Sequence, residues 1–176
     1  MQIKGNKINL RPMKISDVDS IVENINDKLI ARYTQRLPYP YHKKDAIGFI
    51  KQQKIKKNTK LNLGIEDNNT KKIIGGIGLD KIDYKNKSAV LGYWLGKKYW
   101  GKKIMSEASK LILNHAFKEL KLQRIQATVM HPNIVSMKVL EKNGFKHEGI
   151  LRKKIFKNNK WMDIHIFGLL KNEWKK

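Results

Sequence analysis

The stretch Tyr99-Trp-Gly-Lys-Lys-Ile-Met-Ser-Glu-Ala-Ser-Lys-Leu-Ile-Leu-Asn-His-Ala-Phe117 organises the whole chain. It begins with a short turn around Gly101 and continues into a helix. The apolar run Ala89-Val-Leu-Gly-Tyr-Trp-Leu95 precedes it and predicts a buried strand. A strand, a tight turn and a helix in this order direct several free backbone N–H groups at one point, which favours a phosphate. The alternative is an ordinary strand-to-helix corner in a lysine-rich chain.

The net charge of the chain is +23, from 38 basic and 15 acidic residues. Such a charge is typical of proteins that bind nucleic acids. Only five of the basic residues are arginines, however, and proteins that recognise bases and phosphates favour arginine. The lysines are also spread along the whole chain. We therefore expect a solvated cationic surface that attracts anionic ligands, and no dedicated nucleic-acid surface. Four lysines surround the turn at Gly101: Lys97, Lys98, Lys102 and Lys103.

The length of 176 residues predicts one domain, residues 1–176. No apolar run approaches the roughly 20 residues that span a bilayer, and the N-terminus lacks the apolar centre of a signal peptide. The chain contains no cysteine, which excludes disulfides and thiol chemistry. Its five histidines include no pair at the i, i+4 spacing of a helical metal site. We expect a cytoplasmic protein without membrane association and without a metal.

Hydrophobic periodicity predicts the element order β-α-α-β-β-β-α-β-α-β-β. Ser16 is expected to cap the first helix and Asn133 the last one, with Gly144 as its stop. A hairpin turn is predicted at residues 157–160. The predicted strands cover residues 7–13, 61–65, 73–79, 88–95, 124–130, 145–151 and 161–170. The predicted helices cover residues 16–25, 43 to about 57, about 102–120 and 133–143.

Two segments resemble a known family. Leu91-Gly-Tyr-Trp-Leu-Gly-Lys-Lys-Tyr-Trp-Gly-Lys-Lys-Ile-Met-Ser-Glu-Ala108 is similar to motif A of the GNAT superfamily of N-acetyltransferases, and His131-Pro-Asn-Ile-Val-Ser-Met-Lys-Val-Leu-Glu-Lys-Asn-Gly-Phe-Lys-His-Glu-Gly149 is similar to motif B. The sequences of both motifs are most similar to those of the ribosomal-protein-alanine acetyltransferase branch. The resemblance implies an α/β (α+β) single-domain GNAT fold with flanking helices. Its mixed, mostly antiparallel sheet would be splayed between the strand ending at Leu95 and the strand from Arg124.

The resemblance also implies acetyl-CoA as co-substrate. The turn would hold its pyrophosphate on backbone N–H groups, and Leu95 would bind the pantetheine arm through its backbone. The family usually has a small residue, often glycine, where this chain has Lys103, and a Cβ there restricts close approach of phosphate. The cofactor-binding positions carried over are Leu95, Lys98, Trp100, Gly101, Lys102, Lys103, Ile104, Asn133 and Ser136.

The implied reaction is direct attack of an amine on the thioester carbonyl, in a ternary complex. Many relatives place a tyrosine, as general acid, where this chain has Leu140. Ser136 then remains, and the resemblance implies that a serine at this position acts as the acid; a plain helix-surface serine is the alternative. Asn133 lies beside the expected reaction centre, and a helix cap is its alternative role.

The family often has a glutamate, as general base, at the position of Val90, so the base must come from elsewhere. Asp163 on the last strand is the first candidate, and Asp80, Glu66 and His165 are others. Each of these can equally be a surface or structural group. A water relay needs no dedicated base, because an α-amine with a pKa of roughly 8 is partly neutral at pH 7.

The acceptor amine stays open: a protein N-terminus or a small molecule such as a polyamine, an amino acid or an antibiotic. Tyr33, Tyr39 and Tyr41 lie around a proline loop where the family places acceptor contacts, and structural anchoring of the loop is their alternative role. The oligomeric state expected is a monomer or a homodimer. Two alternatives remain: a lysine-rich nucleic-acid-binding module, and a GNAT fold that binds CoA without catalysis.

Overall fold

The computed structural model describes residues 1–35, 37–55 and 59–175, with only the backbone described at 54 and 55. These residues form eight strands: β1 (Ile3–Lys4), β2 (Ile8–Arg11), β3 (Leu61–Asp67), β4 (Ile73–Asp83), β5 (Ser88–Leu95), β6 (Arg124–Met130), β7 (Lys146–Lys157) and β8 (Lys160–Leu170). They build one sheet in the order β1-β2-β3-β4-β5-β6-β8-β7. Every neighbouring pair is antiparallel except β5 and β6, which are parallel.

Five α-helices flank the sheet within the described residues: α1 (Val18–Ile25), α2 (Lys28–Tyr33), α3 (Lys43–Ile55), α4 (Ile104–Lys118) and α5 (Ile134–Lys142). Single turns of 3₁₀ helix precede α1 and α4, at Ile15–Asp17 and Lys97–Tyr99. None of the helices described is long and apolar enough to cross a membrane.

Apolar side chains pack on both faces of the sheet. Ile73 and Ile74 are successive residues of β4 and therefore point to opposite faces. Ile74 belongs to the larger core, which includes Ile112 of α4, whereas Ile73 packs with Ile21 of α1. Burying an aliphatic side chain stabilises the fold by about 1.5–3 kcal/mol, so both layers hold the sheet in place.

The expected class is confirmed: a mixed sheet, mostly antiparallel, with flanking helices. The strands predicted at 88–95 and 124–130 have the observed bounds. The hairpin predicted at 157–160 is present, and Asn158 and Asn159 have φ of 52° and 57°, as a two-residue turn with a primed geometry requires. The predicted end of the second helix, near residue 57, lies outside the described residues.

Ser16 is not the cap of the first helix, which corrects the prediction. The chain makes a 3₁₀ turn before α1, and the Asp17 carboxylate accepts the bond from the backbone N–H of Lys14 at 2.7 Å. Asp17 also receives two bonds from the Arg11 guanidinium, at 2.8 and 2.9 Å. The largely buried Arg11 of β2 thus binds Asp17, and such a charge-assisted bidentate pair is stronger than a neutral cap by the serine.

The patterns also missed elements. They gave no sign of α2, which is only six residues long, nor of the two-residue β1. Strand β7 continues to Lys157, well beyond the predicted end at 151. Its register with β8 shifts between Leu151 and Ile155, so the alternation of apolar residues is broken there and the extension cannot be recognised from period two.

Candidate active site

A cavity of about 570 Å³ lies where β5 and β6 separate. Their parallel pairing runs from Ser88 opposite Arg124 to Leu91 opposite Ala127. Beyond that point the two strands diverge, and residues 92–95 of β5 and 128–130 of β6 line the cavity on either side. The predicted opening of the sheet is therefore present. The start of α4, most of α5, and Leu29, Ile30 and Tyr33 of α2 complete the walls.

The backbone of Leu95 faces this opening. Gly96 donates its N–H to Ile74 O at 2.9 Å, so Gly96 and Ile74 form a hydrogen-bonded pair of the antiparallel ladder. The adjacent pair of Leu95 and Gly75 is then the non-hydrogen-bonded one, so the N–H and C=O of Leu95 point away from β4. The indole N–H of Trp100 donates to Leu95 O at 2.8 Å. The N–H of Leu95 can therefore donate to an extended chain lying in the opening, as a further strand would.

The turn before α4 presents backbone N–H groups. Gly101 has a φ of 76° and Lys103 a φ of 62°, and both line the cavity together with Ile104. Successive N–H groups in such a turn form a concave nest for an anion, and the first turn of a helix adds free donors and a positive dipole end. Lys103 is the N-cap residue and makes no side-chain capping bond to the helix.

Two of the predicted lysines, on either side of the turn, point away from the cavity. Lys98 donates to Glu23 of α1 at 2.6 Å, and this bond raises the pKa of Lys98 and lowers that of Glu23. Lys102 lies 5.6 Å from the centre of the Tyr99 ring, in a cation–π arrangement. Neither lines the cavity, whereas Lys103 does. Of the predicted positions around the turn, the structure therefore brings Trp100, Gly101, Lys103 and Ile104 together.

Asn133 and Ser136 stand at the start of α5 and both line the cavity. The side-chain oxygen of Asn133 accepts from the N–H of Ser136 at 3.2 Å. The predicted helix cap is thus confirmed, and it fixes Ser136 one turn into the helix. Leu140 also lines the cavity and supplies only apolar surface.

The sequence reasoning missed Tyr93. Its hydroxyl lies 2.8 Å from Ser136 Oγ and 3.2 Å from Ser136 O. Burial raises the pKa of Tyr93 to about 12, although the hydrogen bond with Ser136 opposes the shift. A signal was available: Tyr93 alternates with the buried Leu91 and Leu95, so its ring lies on the core face of β5 and its polar tip requires a partner.

The structure does not bring Asp163 to the cavity. Its carboxylate accepts from the backbone N–H of Lys153 at 2.7 Å, where the register of β7 shifts. His165, two residues on, lies 3.0 Å from His147 between ring nitrogens and stacks on His131 with ring centres 5.6 Å apart. Burial and the two neighbouring imidazoles lower the pKa of His165.

The remaining base candidates also have structural partners. Glu66 forms an ion pair with Arg11 inside the fold. Asp80 pairs with Lys60 at 2.9 Å. Among the described residues that line the cavity there is no carboxylate and no histidine.

The α2 side of the cavity is the side expected for an acceptor. Tyr33 and Thr34 line it, whereas Tyr39 is exposed and Tyr41 is buried in the core with its pKa raised to about 12 by burial. Lys157, in the β7–β8 hairpin, donates to Ala31 O and Thr34 O at 2.6 and 2.5 Å. A cation on these last carbonyls complements the helix dipole and joins the hairpin to α2. No group of three potential metal ligands occurs in the part of the chain that the structure describes.

A sheet that opens beside the start of a helix has a geometry that suits an extended, phosphate-bearing co-substrate. Comparison with known proteins names the class. Residues 7–146 match the acetyltransferase (GNAT) domain family. The chain is 33% identical to "Probable N-acetyltransferase YjcK" of Bacillus subtilis (strain 168) over 96% of each chain. It superimposes with a TM-score of 0.84 on a ribosomal-protein-S5-alanine acetyltransferase from Vibrio fischeri, at 26% identity over 100% of both chains.

A third protein, Mycobacterium smegmatis RimJ in complex with CoA-disulfide, shares the fold with a TM-score of 0.89 at 20% identity, over 100% of this chain and 90% of that one. The chain therefore belongs to the GNAT family of N-acetyltransferases, whose acyl donor is acetyl-CoA.

Proposed function

We propose that this protein transfers the acetyl group of acetyl-CoA to a primary amine by direct attack within a ternary complex. One observation carries the proposal: the anion-binding turn before α4 and the outward-facing backbone of Leu95 border the same cavity. A diphosphate on the turn and an extended pantetheine arm along Leu95 would place a thioester near Ser136. The acceptor is a protein N-terminus or a small-molecule amine. We also infer one catalytic domain over residues 1–176, in the cytoplasm.

The proposed roles follow from the contacts. The backbone of residues 101–104 would hold the pyrophosphate, with Lys103 adding a positive charge. The N–H of Leu95 would bind the arm and help to polarise the thioester carbonyl. Ser136 would face the leaving sulfur, and Asn133 would hold Ser136 in place through the cap of α5.

The amine would enter from the side of α2, past Tyr33 and Thr34. Its nitrogen attacks the carbonyl carbon, the C–S bond breaks with its electron pair remaining on sulfur, and the excess proton on nitrogen leaves to water. The carboxylate of Asp163 accepts a bond from Lys153 and supports the β7–β8 hairpin, so we do not assign it as the base. We infer instead that the amine arrives in its neutral form.

The experiment measures thiol release from acetyl-CoA over a panel of amines: peptides with free N-termini, amino acids, polyamines and aminoglycosides. In parallel, calorimetry gives the affinity of acetyl-CoA for the wild type and for Gly101→Ala. A Cβ at a φ of 76° strains the turn by about 1 kcal/mol and crowds the bound phosphate, so we expect affinity to fall about tenfold.

Gly149→Ala is the matched control, because a Cβ at Gly149 meets nothing within 4 Å and that residue lies in β7, outside the cavity lining. Acetyl-CoA affinity that is equal in the two variants would contradict the assignment of the turn. Tight binding without thiol release for any amine would instead support a CoA-binding protein without transferase activity.

A further inference from the structure

Tyr93 and Ser136 form a contact between two walls of the cavity. Tyr93 comes from β5, on one side of the opening, and Ser136 from the first turn of α5. Their hydroxyl oxygens are 2.8 Å apart, and the Tyr93 oxygen is also 3.2 Å from the Ser136 carbonyl. Both residues line the cavity beside Leu95. The contact therefore lies where the thioester is expected.

The protons of this pair have two arrangements. The phenol has one proton, and a carbonyl can only accept. If Tyr93 donates to the Ser136 carbonyl, the Ser136 hydroxyl donates to Tyr93 and its proton is used. If Tyr93 donates to Ser136 Oγ, the Ser136 proton is free to turn toward the cavity. The second arrangement is favoured when negative charge develops nearby, because that charge attracts the free proton.

We propose that Tyr93 is a positioning residue for the acetyl transfer, donating its phenol hydrogen bond to Ser136 Oγ so that the Ser136 hydroxyl donates to the departing thiolate. This inference rests on the proposed function, and it extends that function to a residue on β5. The phenol and the hydroxyl both keep their protons. The sulfur carries the electron pair of the broken C–S bond, and water protonates it after release.

Two further observations support this arrangement. The pKa of Tyr93, raised to about 12 by burial, keeps the phenol protonated throughout the neutral range and therefore always able to donate. Leu140, one turn further along α5, has no donor to offer the sulfur. Ser136 thus supplies the hydroxyl group of α5 that lines the cavity. Without Tyr93, this hydroxyl would donate to a backbone carbonyl one turn earlier, as serines in helices do.

The test compares Tyr93→Phe, Ser136→Ala and the double variant with wild type, using acetyl-CoA and the best amine of the panel. A preorganised donor to developing charge contributes about 10²-fold in kcat. We expect Ser136→Ala to lose about that factor and Tyr93→Phe about tenfold. The double variant should match Ser136→Ala alone, because the two residues act as a unit. The KM for acetyl-CoA should change less than about twofold in each variant.

The conservative variant Ser136→Thr keeps a hydroxyl and should retain the dependence on Tyr93, which a role in packing alone would not predict. Tyr84→Phe is the control, since Tyr84 is 56% exposed in the turn between β4 and β5 and does not line the cavity. If Tyr93→Phe does not fold, a fluorinated tyrosine at position 93 replaces it. Its lower pKa should move the alkaline limb of the kcat profile to lower pH.

The outcomes are distinguishable. A wild type that binds acetyl-CoA but transfers to no amine overturns the proposed function, and the role of Tyr93 with it. An active wild type with an equally active Tyr93→Phe overturns the role of Tyr93 alone. So does a double variant whose loss is the product of the single losses, or a fluorotyrosine protein whose alkaline limb does not move.

Discussion

Lys103 shows how one residue can carry both strain and charge at a binding turn. Its φ of 62° lies in the left-handed region, which costs a residue with a Cβ about 1–2 kcal/mol. The family resemblance implied a small residue at this position. The backbone conformation gives the physical reason, because glycine adopts a positive φ freely. The chain has a lysine in this conformation instead, and Lys103 lines the cavity.

A pair of substitutions separates the strain from the charge. Lys103→Gly and Lys103→Ala both remove the ammonium group, but only alanine retains the strained Cβ. We expect Lys103→Gly to have the higher free energy of unfolding, by about 1 kcal/mol, in urea denaturation. The same pair at Lys121, with a φ of 54°, is the control for the backbone effect and should leave acetyl-CoA affinity unchanged. Equal stability of the two Lys103 variants would mean that the turn is not strained.

Arg11 connects three elements of the fold. From β2 it forms ion pairs with Asp17, in the 3₁₀ turn before α1, and with Glu66 of β3. The three side chains are only 15%, 10% and 11% exposed. Burial alone would raise the pKa of Asp17, but the hydrogen bonds from Arg11 and the Lys14 backbone outweigh it and lower that pKa. A buried cluster of this kind is costly to break, since each group depends on the others for its charge to be compensated.

Arg11→Met should therefore lower the free energy of unfolding at pH 7 by about 3–5 kcal/mol, because two carboxylates remain buried without their partner. The lowered pKa of Asp17 stabilises the folded state above the ordinary carboxyl pKa near 4, and this contribution is lost as pH falls through the folded value. The difference between the variant and wild type should shrink below about pH 4. Denaturation at several pH values measures it, with Arg152→Met as the exposed control. A difference independent of pH would contradict the role of Asp17.

The charge of the whole molecule is far from balanced. With 38 basic and 15 acidic residues, the acids are too few to pair one to one with the basic side chains, and some of them form ion pairs such as that of Glu23 with Lys98. Self-repulsion between unscreened cations opposes the compact state. The same field attracts anions toward the turn before α4 and speeds their encounter with it.

We expect the melting temperature to rise as sodium chloride increases from about 20 to about 300 mM, because the screening length falls to less than about 10 Å over this range. Chloride is preferred to sulfate or phosphate, which could bind at the turn and stabilise the fold by mass action. A calorimetric scan measures the shift, with Gly101→Ala in parallel to show that it does not depend on the anion site. A melting temperature that falls with salt would show that the ion pairs outweigh the repulsion.

Whether a structural feature can be predicted from the sequence depends on how far apart in the chain the interacting residues lie. The turn before α4, the cap at Asn133 and the hairpin at 157–160 depend on residues close together in the chain, and all three are present. The predicted cap at Ser16 was wrong because Arg11 of β2 binds Asp17 next to it, although the two charged residues are close in the chain. Six-residue α2 has too few turns to show a helical period and is held at its end by Lys157 of the distant hairpin.

By itself, the sequence determined the order of the elements other than β1 and α2, and the turn at Gly101, because alternation and turn chemistry depend on consecutive residues. The point at which the sheet opens was implied by the resemblance to the GNAT family. Only the tertiary structure decided that Tyr93 contacts Ser136, that Lys98 turns to Glu23 and that Asp163 bonds to Lys153. Alternation assigns a side chain to a face of a strand, but its partner is set by sheet order and helix placement. Those depend on the burial of the whole chain.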